Sequence, residues 1–243
     1  MTRAIFMLTA VGLLAGLAVW AAPGKPTEKE KPLAPPTREQ HTKAENNFKL
    51  MGLAAHNYLS AHNTWPTDIV DKDGKPILSW RVAVLPYVEG SEELYKEFKL
   101  DEPWDSDANK KLLEKIPSIY IPLRGRAAKG QTFIQSFNGE GAFIQTGKNL
   151  GIANITDGTS NTLMFVEGEK AIEWTRPGDV AFDGKKAPKV GGEFDGHFHA
   201  TFGDGHVHFF GKSLKAETLV QLITIAGGEV FDGEFPSPDL FKD

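Results

Sequence analysis

The feature that most constrains this chain is the absence of cysteine behind a secretory-type N-terminus. Secreted domains often depend on disulfides for their stability, and this chain cannot form one. Its fold must therefore be held together by a buried core alone. The part that follows the leader, roughly 220 residues, is long enough to bury a substantial single core.

The N-terminus has the layout of a secretory signal peptide. Arg3 supplies a positive charge, residues 4–20 are almost wholly apolar, and the small residues Ala21 and Ala22 follow. We predict a signal peptide over residues 1–21, with cleavage after Ala21. The alternative is an uncleaved membrane anchor, although the apolar stretch is at the short end of the roughly 20 residues that span a bilayer. A cleaved leader predicts a secreted, periplasmic or cell-surface protein of the cell envelope, with no stable membrane span.

A segment rich in proline and charge follows the leader. The stretch PGKPTEKEKPLAPPTREQ, residues 23–40, has almost no apolar content and cannot bury enough surface to fold. We therefore predict a disordered linker over residues 22–38 and a single folded domain over residues 39–243. The net charge of the chain is -5 and the sequence has no basic block, which argues against a nucleic-acid partner.

The pattern of apolar residues predicts the fold class. In TKAENNFKLMGLAAHNYLSAHNTWP, apolar residues recur at helical spacing, which predicts an amphipathic helix from about Ala44 to His62. From Ser118 onward, the short β-branched and aromatic runs IYIPL, QTFIQSF, GAFIQ and TLMFVEG predict strands. We predict an α+β fold in which the N-terminal amphipathic helix packs its Phe48, Met51, Ala55 and Tyr58 on an antiparallel β-sheet, with short additional helices.

Four of the seven histidines lie in one predicted β-hairpin, GHFHATFGDGHVHFF, residues 196–210. If Asp204–Gly205 is a two-residue turn, Thr201 pairs with His208 and side chains alternate between the two faces. This register places Phe198, Ala200, Phe202, Val207 and Phe209 on one face. It places His197, His199, Thr201, His206 and His208 on the other.

The predicted face of four histidines has two possible interpretations. One is a metal site formed by His197, His199, His206 and His208, and imidazole ligands suit Zn(II), Ni(II) or Cu(II). In the predicted register, His199 and His208 are diagonal neighbours within about 8 Å of each other. The other interpretation is a solvated polar face on a hairpin whose apolar face packs on the helix. The sequence indicates no catalytic residue and no motif for an organic cofactor.

Four motifs together resemble a known family. They are NNFKLMGLAAHNYLSAHNTWP, LSWRVAVLPYVEGSEELYKEFKLDEPWDS, ITDGTSNTLMFVE and FGDGHVHFF. The chain resembles, over about residues 45–233, the solute-binding-protein-like domain of unknown function 1559, which is abundant in planctomycetes. The resemblance implies a type IV pilin-like domain, with a helix packed on an antiparallel sheet. The proline-rich linker stands where many members have a prepilin helix, so we do not expect pilus assembly through such a helix.

The resemblance also implies a C-terminal signature of His, nine residues and Asp-Gly. Counting back from Asp204, the histidine position of this signature is occupied by Phe194. The hairpin instead carries histidines at positions where relatives commonly have other residues. Because no function is established for the family, the resemblance implies a fold and a location but no chemistry.

Three classes of function are compatible with these observations. The first is a non-enzymatic extracytoplasmic protein, structural or engaged in surface interaction with an envelope or extracellular partner. The second is a solute- or metal-binding protein that uses the hairpin at residues 197–208. The third is an enzyme, which a buried Asp–His or Glu–His pair in a cleft would favour. We expect the first class, and no enzymatic activity.

The signal peptide generates a prediction about processing. Mature protein isolated from its native envelope should begin at Ala22, because cleavage after Ala21 leaves small residues at both positions that the peptidase reads. N-terminal sequencing checks this. An intact Met1 in membrane fractions would show instead that the apolar segment is retained as an anchor.

Overall fold

The structure is a computed structural model that describes residues 34–228 and residue 238. It is a mixed α+β fold that begins with a long helix, as expected from the sequence. Within the described ranges, none of the helices combines the length and apolar character that crossing a bilayer requires. The predicted signal peptide and most of the predicted linker lie outside the described residues.

The described residues contain four α-helices, eight strands and four short 3₁₀ helices. The helices are α1 (Arg38–His62), α2 (Trp80–Ala83), α3 (Glu92–Glu97) and α4 (Ala216–Ile223). The strands are β1 (Ile69–Val70), β2 (Pro76–Leu78), β3 (Gln131–Gln135), β4 (Phe137–Asn138), β5 (Leu163–Glu173), β6 (Val180–Ala181), β7 (Phe198–Phe202) and β8 (Val207–Phe210). Short 3₁₀ helices lie at Leu85–Tyr87, Asn109–Lys115, Ser118–Tyr120 and Ile152–Asn154.

Helix α1 begins at Arg38 because a reciprocal cap stabilises its first turn. The backbone N–H of Gln40 donates to Thr37 Oγ1 at 3.2 Å, and the backbone N–H of Thr37 donates to Gln40 Oε1 at 3.0 Å. The helix therefore starts at Arg38, the last residue of the predicted linker, and the linker prediction is wrong for that residue. At its other end, Asn63 adopts the left-handed conformation that commonly ends a helix.

The apolar stripe of α1 packs on the sheet as the sequence predicts. Phe48, Met51 and Ala55 are buried, and the partly buried Tyr58 packs against the same core. The hydroxyl of Thr201 in β7 also donates to the carbonyl of Phe48 at 3.0 Å. The prediction that this helix packs on an antiparallel sheet containing the histidine hairpin is therefore confirmed.

The central sheet has four antiparallel strands in the order β3-β5-β7-β8. Helix α1 packs on one of its faces. On the other face, α4 contributes Leu219, Leu222 and Ile223 to a cluster with Phe198, Ala200 and Phe202 of β7. The sheet thus lies between two helices and is buried on both sides along β7. Two smaller sheets are present, an antiparallel pair β1–β2 and a parallel pair β4–β6.

A buried ion pair fixes the segment that follows β2. The side chains of Arg81 and Asp179 are both fully buried, with Arg81 Nη1 donating to Asp179 Oδ1 at 2.6 Å. Trp80 Nε1–H donates to the second carboxylate oxygen at 2.8 Å. The guanidinium also donates to the carbonyls of Ile134, Trp174 and Arg176. Because both charges are paired and hydrogen-bonded, the core tolerates them, and we assign this cluster a structural role.

The register of the histidine hairpin differs by one residue from the sequence prediction. Ala200 pairs with His208 and Thr201 with Val207, and the loop has three residues, Gly203–Gly205. The backbone N–H of Gly203 donates to the carbonyl of Thr162 at 2.8 Å, so it does not pair across the hairpin. Gly205 closes the loop with φ of 92°, which suits a three-residue hairpin ending in a left-handed residue.

A slip of one residue moves every side chain of one strand to the opposite face. In the observed register, Val207 and Phe209 share a face with His199 and Thr201, and this face lies against α1. The other face carries Phe198, Ala200 and Phe202 of β7 together with His206, His208 and Phe210. The predicted apolar face and histidine face are therefore both wrong, because the turn has three residues.

Two double-cysteine variants distinguish the two registers. In Thr201→Cys/Val207→Cys, the introduced side chains lie directly opposite on one face and should form a disulfide during folding. In Thr201→Cys/His208→Cys, the side chains lie on opposite faces and should remain free thiols. Because the natural chain has no cysteine, a count of free thiols in the oxidised monomer reads the result directly. Closure of only the second pair would establish the two-residue turn instead.

Candidate functional site

The observed register separates the four predicted metal ligands. His199 is fully buried beneath α1, and His197 is partly buried and stacks on the ring of Phe209. His206 and His208 project from the other face, where each contacts a phenylalanine. Across residues 34–228, no group of three or more His, Cys, Asp or Glu side chains is placed to hold a metal ion. The four histidines therefore do not share one face, and the register on which the metal-site hypothesis depended is wrong.

A different set of ionisable residues meets beneath α1. The backbone N–H of His199 donates to Glu167 Oε2 at 3.0 Å, and His199 Nδ1 lies 3.1 Å from Glu167 Oε1. On the opposite side of the ring, His199 Nε2 lies 2.8 Å from Nδ1 of His41. Glu167 on β5, His199 on β7 and His41 on α1 thus form one hydrogen-bonded series, which we call the Glu–His–His chain.

Burial favours the uncharged forms of these groups. Glu167 is 1% exposed and His199 is 0% exposed. Burial lowers the pKa of His199 to about 3 and raises the pKa of Glu167 well above its ordinary value. Burial, and then the neighbouring His199, lower the pKa of His41. Both imidazoles are therefore neutral at pH 7, and the protonated form of Glu167 is favoured.

A second buried carboxyl group, Glu193, lies beside this chain. Its Oε1 accepts hydrogen bonds from the backbone N–H groups of Leu123 and Arg124. Burial, and then the nearby Glu167, raise the pKa of Glu193 to about 7. Both carboxyl groups line a cavity of about 10 Å³, which has room for about one water molecule. A cavity of this size does not admit an organic substrate.

Asp195 joins two arginines at the rim of this region. Arg124 Nη1 donates to its carboxylate at 2.7 Å, and Arg126 donates to the second carboxylate oxygen. Asp195 has a left-handed backbone with φ of 58°, a conformation that Asp tolerates better than most residues. These ion pairs hold the loop before β7 against the segment that follows Ser118–Tyr120, and so they hold Glu193 in place.

Sequence reasoning did not identify the residues that meet in the Glu–His–His chain. His199 was singled out, but as a surface ligand rather than a buried group. The available signal for Glu167 was a carboxylate at the end of the apolar strand run TLMFVEG. His41 lay at the boundary between the predicted linker and the predicted domain, and only a helix beginning near Arg38 brings it to the sheet.

A surface groove lies along the exposed side of α1. It has a volume of about 480 Å³ and is lined by Leu50 and Leu53 of α1, by residues 87–91 and by residues 117–119. Leu50 and Leu53 are 48% and 57% exposed, and together they form an apolar surface at the edge of the groove. The charged side chain that lines the groove is that of Glu89. We call this feature the α1 groove.

A comparison with protein families identifies the N-terminal part of the fold. Residues 37–134 match the family described as "Protein of unknown function (DUF1559)". This segment is therefore similar to that family. The DUF1559 segment extends from the cap of α1 to β3, so it contains His41 and all the residues that line the α1 groove. The resemblance predicted from the sequence motifs is therefore confirmed over this range. No curated protein and no solved structure matches the chain.

The buried acids and the buried histidine generate opposite pH dependences of stability. The pKa of Glu193 is raised in the fold, so its contribution is present below about pH 4.5 and is lost as pH rises towards 7. The pKa of His199 is lowered, so its contribution is present above about pH 6.5 and is lost as pH falls. Between about pH 4.5 and 6.5 the two effects offset each other in the wild-type protein.

Removing either Glu193 or His199 should therefore reveal the pH dependence of stability that the other contributes. Relative to wild type, the free energy of unfolding of His199→Gln should fall as pH rises, by up to about 1.4 kcal/mol per pH unit. That of Glu193→Gln should rise with pH by a similar amount. Urea denaturation at half-unit steps from pH 4.5 to 6.5 measures both slopes, with His62→Gln as an exposed control. Parallel lines for all variants would show that neither group is buried in the uncharged form.

Proposed function

We propose that this protein is an extracytoplasmic, non-enzymatic interaction protein whose pilin-like domain binds a short segment of an envelope partner in the α1 groove. The observation that carries the proposal is the pair of exposed leucines, Leu50 and Leu53, at the edge of a groove of about 480 Å³. Apolar side chains exposed beside a concave surface are typical of binding sites.

The architecture supports a pilin-like domain. A long N-terminal helix packed on an antiparallel sheet is the arrangement that the family resemblance implies. The leader, with Arg3 before residues 4–20, supports an extracytoplasmic location. We do not propose assembly into a pilus, because the sequence has a proline-rich stretch before α1.

The groove favours a short segment with one or two apolar side chains next to Lys or Arg. Its volume of about 480 Å³ is in the range of sites that hold small ligands. Leu50, Leu53 and Val88 offer apolar contact, while Glu89 supplies a negative charge. A basic residue beside the apolar anchor therefore complements the groove in both polarity and charge.

The buried Glu167–His199 pair does not favour an enzyme. It adjoins a cavity of about 10 Å³ rather than a cleft, and α1 covers it. A catalytic pair must reach a substrate atom within hydrogen-bond distance, directly or through one water. The pair is better explained as part of the contact between α1 and the sheet.

Peptide binding tests the proposed function. The probes are two labelled twelve-residue peptides that differ only in charge, one with Leu-Arg repeats and one with Leu-Glu repeats. Fluorescence anisotropy should show that the basic peptide binds more tightly. Leu53→Ser should weaken its binding about tenfold, because one buried apolar side chain is lost from the contact. Leu53 is exposed, so the fold should be unaffected.

Charge reversal provides the matched comparison. Glu89→Lys should remove the preference for the basic peptide, whereas Glu217→Lys should not change it. Glu217 is also an exposed glutamate, but it lies on α4, on the opposite side of the sheet. Equal binding of both peptides to wild type, or an identical effect of the two reversals, would contradict the proposal.

A further inference from the structure

We infer that the Glu–His–His chain is a proton-sensitive latch that holds the first turns of α1 on the sheet and releases them on acidification. The chain crosses from β5 through β7 to α1, so each of its links joins two different elements. This inference does not depend on the function proposed for the α1 groove.

Polar contacts join the first turns of α1 to the rest of the fold. Nε2 of Gln40 donates to the carbonyl of Leu123 at 3.0 Å, and His41 meets His199 at 2.8 Å. One turn later, Ala44 packs in a small apolar cluster with Phe194 and Phe209. The larger core beneath α1 begins at Phe48. The His41–His199 link thus attaches the first turns of α1 directly to β7.

A count of protons shows how acid acts on the chain. Each of its two links holds one proton, since the two atoms of a hydrogen bond share one. The far nitrogen of His41, Nε2, can hold a third. With three protons Glu167, His199 and His41 are all formally neutral, and three is also the largest number that the intact chain can hold. A fourth proton therefore has to open a link.

The link between His199 and His41 is the one that opens. Glu167 and His199 are fully buried, whereas His41 is only partly buried and can carry its charge towards solvent. Other charged groups face the chain: Arg38 and Glu45 on α1, Lys49 through its ion pair with Glu45, Arg124, and Glu193. Glu45 favours protonated His41 and Arg38 opposes it, so these two charges act on the link in opposite directions.

Hydrogen–deuterium exchange of the full-length protein tests the latch. Protection of the amides of residues 38–48, corrected for the intrinsic exchange rate, should fall between pH 7 and pH 5. For the uptake of one proton, the fall is at most about tenfold per pH unit. Protection of residues 51–62, in the second half of the same helix, should stay constant over this range, because these residues are held by apolar packing.

Two variants make the test specific. His41→Phe keeps an aromatic ring against Phe209 but cannot take up a proton, so protection of residues 38–48 should no longer depend on pH. His62→Gln removes an exposed histidine from the other end of α1 and should respond like wild type. A cooperative thermal transition at pH 7 establishes that both variants are folded. The inference is overturned if wild type shows no response, if His41→Phe retains it, or if all of α1 loses protection together.

Discussion

The contact between α1 and the polar face of β7 is the interaction on which the rest of the structure depends. This face presents His199 and Thr201 to the helix, and both are fully buried. A buried polar group without a partner costs about 1–3 kcal/mol, so each requires one. Thr201 bonds to the carbonyl of Phe48, and His199 lies between Glu167 and His41. Three elements are thereby held together at one place.

This contact also explains why the hairpin has its observed register. If β8 were shifted by one residue, His206 and His208 would share the face of His199 and lie beneath or beside α1. The apolar side chains of Val207 and Phe209 would leave this contact at the same time. Glu167 and His41 serve as hydrogen-bond partners for the one buried imidazole of His199. Two further buried imidazoles at this contact would require additional partners. The loop Gly203–Gly205 and the packing of α1 therefore favour the same arrangement.

Local patterns in the sequence predicted the elements better than their contacts. The helical spacing of Phe48, Met51 and Ala55 identified α1 and its buried face, because a helix period can be read without knowledge of its partner. The α+β class followed from the runs of β-branched residues. The hairpin register could not be read in this way, because it depends on the hydrogen bond from Gly203 to Thr162, some forty residues away. The Glu–His–His chain was missed for the same reason.

Phe194 connects the family resemblance with the buried site. The resemblance implies a histidine at this position, and the ring centroid of Phe194 lies 4.9 Å from that of His199. In this chain, an imidazole therefore occupies the same buried neighbourhood but comes from β7. The residues 37–134 that match the family contribute His41 and Arg124, while Glu167 and His199 come from outside the matched range.

The central claim is that His199 is a buried, neutral imidazole beneath α1, and its ring nitrogens can be observed directly. Nitrogen-15 NMR of histidine-labelled protein, with His199→Gln to assign the signals, follows the protonation of each ring as pH is lowered. The account predicts that the His199 ring keeps the signature of a neutral imidazole at pH 5, since burial lowers its pKa to about 3. A His199 ring that titrates near the ordinary value of about 6.5 would show that this face is open to solvent and would contradict the account.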